Sequence, residues 1–308
     1  MSMFEIKDFS GWKPYEGFAE GSGRSEKIWL ISSEAEDRKI GLFKYPKINP
    51  SNQAVTSEHI SEHLAHQIGD ILNIKTANVD IGIYDGRVGS LSYLVKEPYE
   101  ALIEGISFVT GVFPGYNSEQ MFDDENQKYY CLEHIFESTD GLIKKEIWIK
   151  MMLFDYLIGN RDRHQSNWAI LASYADSQRK SFNIRECPLY DNGSSLCCYV
   201  TEQEVDRFFG KDKGPIKALT DTKSKSCIRI DGNYKKLPKH SDMIRYLISN
   251  YEEAHKWAQL FIERLTIDKI DLLLNNYPDN MLDVKKKQLI QIFLHEKIKL
   301  LKTIMEEF

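Results

Sequence analysis

The ten residues from Ile158 to Asn167 read I-G-N-R-D-R-H-Q-S-N, and this stretch decides how the chain is interpreted. A strongly apolar run from Ile147 to Ile158 precedes it and predicts a buried helix. The Gly-Asn pair after the run tolerates left-handed backbone angles, so we expect the helix to end there. The loop that follows carries Asp162 and Asn167, which are five positions apart and both have side-chain oxygens. The stretch therefore predicts a polar loop fixed to the end of a buried helix.

A second polar segment, from Pro188 to Ser194, reads P-L-Y-D-N-G-S and supplies Asp191. Phosphoryl transfer needs one carboxylate that orients or deprotonates the attacking hydroxyl, and oxygen ligands that hold magnesium on the nucleotide phosphates. We interpret Asp162 as the base, with Asn167 and Asp191 as metal ligands. Taken singly, Asp162 and Asn167 are better explained as caps of ordinary turns. The occurrence of Asp162, Asn167 and Asp191 in this order favours a phosphoryl-transfer site over ordinary turn caps.

The upstream part of the chain offers groups for nucleotide phosphates. Lys44 lies among apolar residues in G-L-F-K-Y-P, a strand pattern, and its amine can reach phosphates only if a carboxylate fixes its position. Gly21, Ser22 and Gly23 lie in a glycine-containing turn that enters the preceding strand, as needed if backbone amides are to approach phosphates. Glu26 takes the place of the third glycine of G-x-G-x-x-G. The turn alone would indicate a plain hairpin, but its order before Lys44 favours a phosphate loop.

These motifs resemble those of protein kinases. Arg161-Asp162 with Asn167 matches the R-D-x-x-x-x-N spacing of kinase catalytic loops, and Asp191-Asn-Gly resembles D-F-G, although Asn160 stands where those kinases have histidine. The D-R-H-x-x-N run, with an apolar helix before it and L-Y-D after it, is similar to the HipA-like serine/threonine kinases. Phosphoinositide kinases have a similar D-R-H-x-x-N.

The resemblance implies ATP and Mg²⁺ as cofactors and adds further site residues. Lys44 and Glu62 would position ATP, and Glu58, one turn earlier on the same predicted helix, is the competing partner for the lysine. The segment that includes Val95 and Glu97 would be the hinge that offers backbone hydrogen bonds to adenine.

Three residues around the predicted base have open roles. His164, which we count with the nucleotide-binding residues, would order the catalytic loop or contact the Asp191 segment, and a structural histidine is equally consistent. Arg161 and Arg163 would pair either with a phosphate on the protein or with a buried acid.

The predicted fold class is α+β, with the bilobal architecture of protein kinases. Residues 1–97 form a small β-rich N-lobe with the order β-β-α-β-β, and residues 98–308 form a larger, mainly helical C-lobe. The N-lobe pattern predicts a turn at Asp85-Gly86 and the following elements: strands Lys27–Ile31, Ile40–Tyr45, Ala77–Tyr84 and Arg87–Val95, and a helix within Ser57–Leu72. In the C-lobe, Ser241 is the predicted N-cap of a helix that reaches about Leu265, and Asp283 caps another from Val284 to about Glu306.

The early position of Lys44 implies a short member of the family without an N-terminal subdomain, so an antitoxin or other inhibitory partner would be a separate chain. The expected substrate is a protein, such as a component of translation, and the kinase would act as a toxin or effector. We also expect autophosphorylation at Ser22 or Ser25 in the glycine-containing turn. A phosphate there would disfavour ATP through charge repulsion.

Composition limits the function classes. The net charge of −6 argues against broad nucleic-acid binding, which depends on neutralising phosphates, so no direct nucleic-acid partner is expected. We find no transmembrane segment or signal peptide and expect a cytoplasmic protein, whose five cysteines, without a C-x-x-C pair, suit reduced thiols. The segment from Arg207 to Lys239 is strongly basic, and it is either a solvated loop or a docking site for an acidic partner.

Three alternative functions stay open. The same fold could phosphorylate a phosphoinositide or another small molecule, or it could be a catalytically idle nucleotide-binding module. His59, Glu62 and His63 also fit the H-x-x-E-H pattern of inverted zinc proteases. That zinc pattern leaves the cluster from Asp162 to Asp191 unexplained.

Overall fold

The computed structural model describes residues 5–17, 26–34, 38–48, 55–174 and 182–308. The predicted phosphate-loop residues Gly21, Ser22 and Gly23, and the predicted modification site Ser25, lie outside the described residues. Strands and helices are combined in the described part as an α+β fold, so the predicted class is confirmed.

The N-terminal sheet contains six strands within the described residues. They are β1 (Lys7–Asp8), β2 (Lys13–Pro14), β3 (Lys27–Ile31), β4 (Ile40–Lys44), β5 (Val79–Tyr84) and β6 (Arg87–Tyr93). Their spatial order is β1-β5-β6-β4-β3-β2, with β1 parallel to β5 and the other neighbours antiparallel. Asp85 and Gly86 join β5 to β6 with φ angles of 49° and 69°, which suit a tight hairpin turn. The predicted hairpin is confirmed.

Helix α1 (Glu58–Leu72) packs against β5 and β6. Its apolar stripe is buried, as the four-residue spacing predicted, through Ile60, Leu64, Ile68 and Leu72. Asn73 ends the helix in a left-handed conformation with a φ of 59°. This packing fixes the helix face that carries Glu58 and Glu62.

The second part of the chain is mainly helical. Its elements are β7 (Ala101–Glu104), α2 (Gly105–Val112), β8 (Tyr116–Asn117), β9 (Phe122–Asp123), β10 (Lys128–Tyr129), α3 (Leu132–Ser138), α4 (Lys145–Ile158), β11 (Ala169–Tyr174), β12 (Phe182–Glu186), α5 (Gly214–Lys217), α6 (His240–Asn250), α7 (Glu252–Arg264), α8 (Ile267–Asn275) and α9 (Val284–Met305). Two small antiparallel sheets, β10-β9-β8 and β12-β11-β7, complete the described part. No helix in these ranges is long and apolar enough to cross a membrane.

Helix α4 forms the centre of the helical part and contacts α6, α7 and α9. It is apolar on nearly all sides, and every residue from Trp148 to Ile158 except Lys150 is buried, which is typical of a core helix. Gly159 ends it with a φ of 68°, and a Cβ atom there would lie 2.7 Å from a ring carbon of Phe293. Glycine is therefore required at the point where the chain leaves the core and enters the loop of Asp162.

The helix predicted from Ser241 to about Leu265 is wrong in two respects. The structure has two helices, α6 and α7, because Tyr251 between them has an extended backbone with φ −139° and ψ 117°. Lys239 is the N-cap of α6, and Ser241 lies inside the helix, where its hydroxyl donates to the Asp221 carboxylate at 2.6 Å. The side chain that we expected to cap the helix instead bonds the preceding segment.

The predicted N-cap of α9 is confirmed. The Asp283 carboxylate accepts hydrogen bonds from the backbone amides of Lys285, at 2.8 Å, and Lys286, at 3.4 Å. Such a cap satisfies amide groups that have no partner within the helix.

Candidate active site

Lys44 on β4 lies between two carboxylates from distant parts of the chain. Its Nζ is 2.6 Å from Oδ1 of Asp191 and 3.6 Å from Oε2 of Glu62. Glu62 also accepts a hydrogen bond from the backbone amide of Asn192 at 2.8 Å, and its side chain is only 3% exposed. The lysine and the glutamate together hold the Asp191 segment against the N-terminal sheet.

The electrostatics of this group follow from burial and mutual attraction. Lys44 holds the pKa of Asp191 down at about 2. Burial by itself would lower the pKa of Lys44, but Asp191 and Glu62 raise it above its ordinary value. Burial raises the pKa of Glu62, against the attraction of Lys44. Two carboxylates share one ammonium, so the group has room for a further positive charge.

The competing glutamate, Glu58, has other partners. Its Oε1 lies 3.2 Å from Nζ of Lys47 and accepts a hydrogen bond from the Tyr199 hydroxyl at 2.7 Å. Tyr199 in turn lies 2.9 Å from Oγ of Ser194. The geometry therefore pairs Glu62 with Lys44, and Glu58 with the segment that follows Asp191.

Arg163 is the buried connector of the two polar loops. Its guanidinium forms a two-point ion pair with Asp155 of α4, at 2.8 and 3.0 Å. It also donates to the carbonyls of Asn167 (2.7 Å) and Tyr190 (2.9 Å) and to the side-chain oxygen of Asn192 (2.6 Å). Of the two roles that the sequence left open, the structure selects pairing with a buried acid. The loop of Asp162 and the loop of Asp191 are held in register by this one side chain.

Further hydrogen bonds shape the loop of Asp162. The side chain of Asn160 accepts from the Asp162 amide at 3.1 Å and donates to Asp155 at 3.0 Å. The side-chain nitrogen of Asn167 donates to the Asp162 carbonyl at 2.7 Å, which leaves its oxygen as the atom suited to bind a cation. Loss of water raises the pKa of Asp162, and the charge of Asp191 adds to this effect. A raised pKa suits a carboxylate that accepts a proton during a reaction.

His164 lies in the same loop, where its Nδ1 accepts from the Ser166 amide at 3.2 Å. Its charge would lower the pKa of both Asp162 and Asp191. The position of His164 in the loop agrees with both roles that the sequence left open.

The predicted hinge joins β6 to β7. Val95 packs on a small apolar cluster that includes Leu171 and Cys187. The Glu97 amide donates to Oε2 of Glu100 at 2.9 Å, and Arg185 holds that carboxylate with two bonds of 2.7 Å. The Glu97 amide is thus occupied, which leaves Val95 as the better candidate for an adenine contact.

The sequence analysis did not predict a chain of polar contacts beneath the loop of Asp162. Lys297 on α9 is 0% exposed and donates to Oγ of Ser224 at 2.9 Å. Ser224 lies 2.9 Å from Nδ1 of His240, whose Nε2 lies 2.9 Å from the carbonyl of Asn160. This chain connects α9 to the residue that holds the Asp162 amide. The sequence carried one sign that Lys297 is buried, since this residue falls on the apolar stripe of its helix between Leu294 and Leu301.

Two lysines near Lys44 were also missed. Lys27 pairs with Lys44 across β3 and β4, so both side chains leave the same face of the sheet. Burial lowers the pKa of Lys27, and the charges of Lys44 and Lys47 lower it further. Three cations therefore surround the place where we expect phosphates. Strand alternation could have indicated Lys27 once the register was known.

The zinc-protease pattern finds no support in the described residues. His63 lies 2.7 Å from the Tyr277 hydroxyl, and Glu62 is engaged by Lys44. The part of the chain that the structure describes contains no group of three His, Cys, Asp or Glu side chains suited to a metal ion.

The described fold brings a sheet lysine together with two acidic groups from distant parts of the chain. In sequence, the chain is similar to the serine/threonine-protein kinase CtkA of Helicobacter pylori, with 26% identity over 198 residues. The match covers 62% of this chain and 55% of that protein, so the chain spans about half the length of the curated relative that it matches. No protein-family model matches the chain.

Solved structures show the same relationship at the level of fold. The crystal structure of the proinflammatory kinase CtkA from Helicobacter pylori matches with a TM-score of 0.79, covers 99% of this chain and 100% of that one, and is 19% identical. HipA from Shewanella oneidensis, solved with HipB and operator DNA, matches with a TM-score of 0.52 over 96% of this chain and 66% of that one, at 12% identity. These matches confirm the predicted resemblance at the level of the fold.

Proposed function

We propose that this protein is an ATP- and Mg²⁺-dependent serine/threonine protein kinase of the HipA-like type. The observation that carries the proposal is the contact of Lys44 with Asp191, at 2.6 Å, beside Glu62. It joins the N-terminal sheet to the loop after β12, so a nucleotide between them would meet the lysine and the carboxylate together. The sequence similarity to a serine/threonine kinase supports the proposal.

Each site residue has a separate role in the proposed reaction. The acceptor hydroxyl oxygen attacks the γ-phosphorus of ATP, its proton passes to Asp162, and the bond from that phosphorus to the ADP oxygen breaks. Lys44, held by Glu62, binds nucleotide phosphates. The raised pKa of Asp162 favours proton acceptance from a hydroxyl.

The side-chain oxygens of the candidate site are suited to magnesium. Asn167 and Asp191 would hold the ion, because magnesium takes oxygen ligands and is usually bound by one or two protein groups together with water and substrate phosphates. The low pKa of Asp191 keeps its carboxylate ionised, which also favours a divalent cation. When bound, magnesium supplies neutralisation of the charge that develops on the phosphates.

The relatives suggest a biological setting. HipA was solved with HipB as part of a toxin-antitoxin system, so we propose that a separate inhibitory protein binds this chain too. Autophosphorylation, a cytoplasmic location and action as a toxin or effector on a cellular protein belong to the same proposal.

The test is incubation of the purified protein with labelled ATP and magnesium, scoring label on the protein itself and on proteins of a lysate. Asp162→Ala and Asp191→Ala should each abolish transfer, whereas Asp268→Asn, which changes an exposed carboxylate of α8, should not. Full labelling by the first two variants would overturn the proposed roles. Binding of ATP without transfer to any acceptor would indicate an idle nucleotide-binding module instead.

A further inference from the structure

A cavity of about 600 Å³ opens beside the catalytic loop. Its wall begins with Gly159 and Arg161 and continues with the segment from Ser194 to Val200. The Arg161 amide donates to the Ser194 carbonyl at 3.4 Å, so this wall is formed by the two loops that carry Asp162 and Asp191. None of its lining residues comes from the N-terminal sheet, and the cavity is therefore separate from the nucleotide contacts of Lys44.

The floor of the cavity is apolar. Side chains from three parts of the chain contribute to it: Val200, Phe208, Pro215, Leu219 and Phe293. The volume falls within the range of about 300–1,000 Å³ that is common for binding sites. The floor therefore suits an apolar side chain of a bound segment.

The rim carries an excess of positive charge. Arg161, Arg207 and Lys223 line the cavity, against the two acids Glu204 and Asp212. Both acids are engaged locally. Glu204 accepts from the amide and hydroxyl of Thr201, at 3.2 and 3.1 Å, and Asp212 accepts from the Gly214 amide at 2.8 Å.

The cations are engaged to different degrees. Arg207 lies 3.5 Å from Glu204, so its charge is partly balanced. Lys223 is exposed and lies in the basic segment that the sequence singled out. The balance of three cations and two acids favours a ligand with one or two negative charges. A headgroup that carries several phosphates would instead meet two carboxylates at close range.

We propose that this cavity binds the part of the polypeptide substrate next to the hydroxyl that receives the phosphate. An apolar side chain of that substrate would lie on the floor and an acidic side chain at the rim. This inference rests on the proposed kinase function and names its substrate class. It assigns the selectivity to Lys223 and Arg207, while Asp162, which follows the lining residue Arg161 in the chain, receives the hydroxyl proton.

The test compares two serine peptides that differ only in charge beside an apolar residue, one with aspartate and one with lysine. The ratio of their kcat/KM values is measured within each variant, so that differences in expression or folding cancel. Wild type should prefer the acidic peptide about tenfold, which corresponds to about 1.4 kcal/mol. Lys223→Glu should abolish or reverse this ratio. Lys211→Glu, an exposed lysine of the same segment outside the cavity, should keep it.

The other outcomes overturn the inference in distinguishable ways. Equal use of both peptides, or an equal loss of preference in Lys211→Glu, would place the selectivity elsewhere. Phosphorylation of phosphoinositide vesicles and not of peptides would replace the polypeptide by a lipid. Hydrolysis of ATP by the wild type without peptide transfer would overturn the cavity assignment alone. Absence of both hydrolysis and transfer would overturn the proposed function and the inference with it.

Discussion

The ammonium nitrogen of Lys44 lies 2.6 Å from the carboxylate of Asp191, although 147 positions separate the two residues in the chain. The contact fastens β4 to the loop after β12, and Glu62 supports it from α1 at 3.6 Å. On the proposed function, binding of a nucleotide by Lys44 would be coupled to the closeness of the sheet and this loop. The first prediction concerns the residue that supports this lysine.

Glu62→Gln should raise the KM for ATP about tenfold or more, because Lys44 would lose one of the two carboxylates that fix its position and only Asp191 would remain. The amide keeps an oxygen for the Asn192 amide, so the fold should persist. Steady-state kinetics at varied ATP concentration measure the effect. Glu58→Gln is the matched control on the same helix, and a larger effect in Glu58→Gln would show that the lysine partner has been misassigned.

Arg163→Lys should destabilise the protein by about 3–5 kcal/mol, since the Asp155 carboxylate would lose its two-point partner in a buried site. A lysine cannot reproduce the fork that binds Asp155, Asn167, Tyr190 and Asn192 together. Urea unfolding measures the change in the free energy of unfolding. Arg161→Lys, two residues earlier in the same loop and exposed, should change it by less than about 0.5 kcal/mol. Similar values for both variants would contradict the connector role.

His240→Phe should lower kcat by about 10- to 100-fold while the KM for ATP stays within about twofold, because the ring holds the Asn160 carbonyl and not the nucleotide. The separation of kcat from KM distinguishes misplacement of the loop of Asp162 from general damage. His255→Phe replaces an exposed histidine of α7 and should leave both constants unchanged. A rise in KM without a fall in kcat would argue against this positioning role.

Lys297 should make stability depend on pH. Burial lowers the pKa of Lys297 to about 7, against an ordinary value of 10.5. Between these values the unfolded chain binds a proton that the folded protein does not, so the free energy of unfolding should increase as the pH rises from about 7 toward 10.5. Lys297→Met should remove this increase. Urea unfolding at pH 7 and pH 9 measures it.

Lys299→Met, an exposed position on the same helix, provides the control for the pH experiment. Its stability should follow the wild-type dependence on pH, because this substitution leaves the buried amine of Lys297 in place. Identical pH dependence in wild type and in Lys297→Met would show that the buried amine does not titrate in this range.

Local patterns predicted the local structure well. The hairpin at Asp85-Gly86, the stripe of α1, the buried α4 and the N-cap Asp283 follow from interactions between residues close in sequence. The single helix expected after Ser241 failed because a break at Tyr251 leaves the periodicity of the apolar residues almost unchanged. The boundary near residue 97 and the roles of the site residues stay predictions.

The sequence predicted the types and the order of the candidate site residues. It did not predict which side chains they contact. The sequence supplied Lys44, Glu62, Asp162 and Asp191 and favoured Glu62 as the partner of the lysine, but it left Glu58 open because both glutamates lie on the same side of α1. Packing of α1 against β5 and β6 decided that choice. No short-range pattern marks Arg163 as a connector either, because its partners are spread from Asp155 to Asn192.

The sequence by itself determined which residue types the candidate site contains and their order, namely a lysine, an amide and carboxylates, and these are the groups that phosphoryl transfer requires. Only the tertiary structure decided which charges meet, since burial removes the water that would otherwise screen them. Lys297 shows the difference most clearly. In the sequence it is an ordinary lysine of a helix, and in the fold its lowered pKa and its contact with Ser224 result from enclosure beneath the catalytic loop.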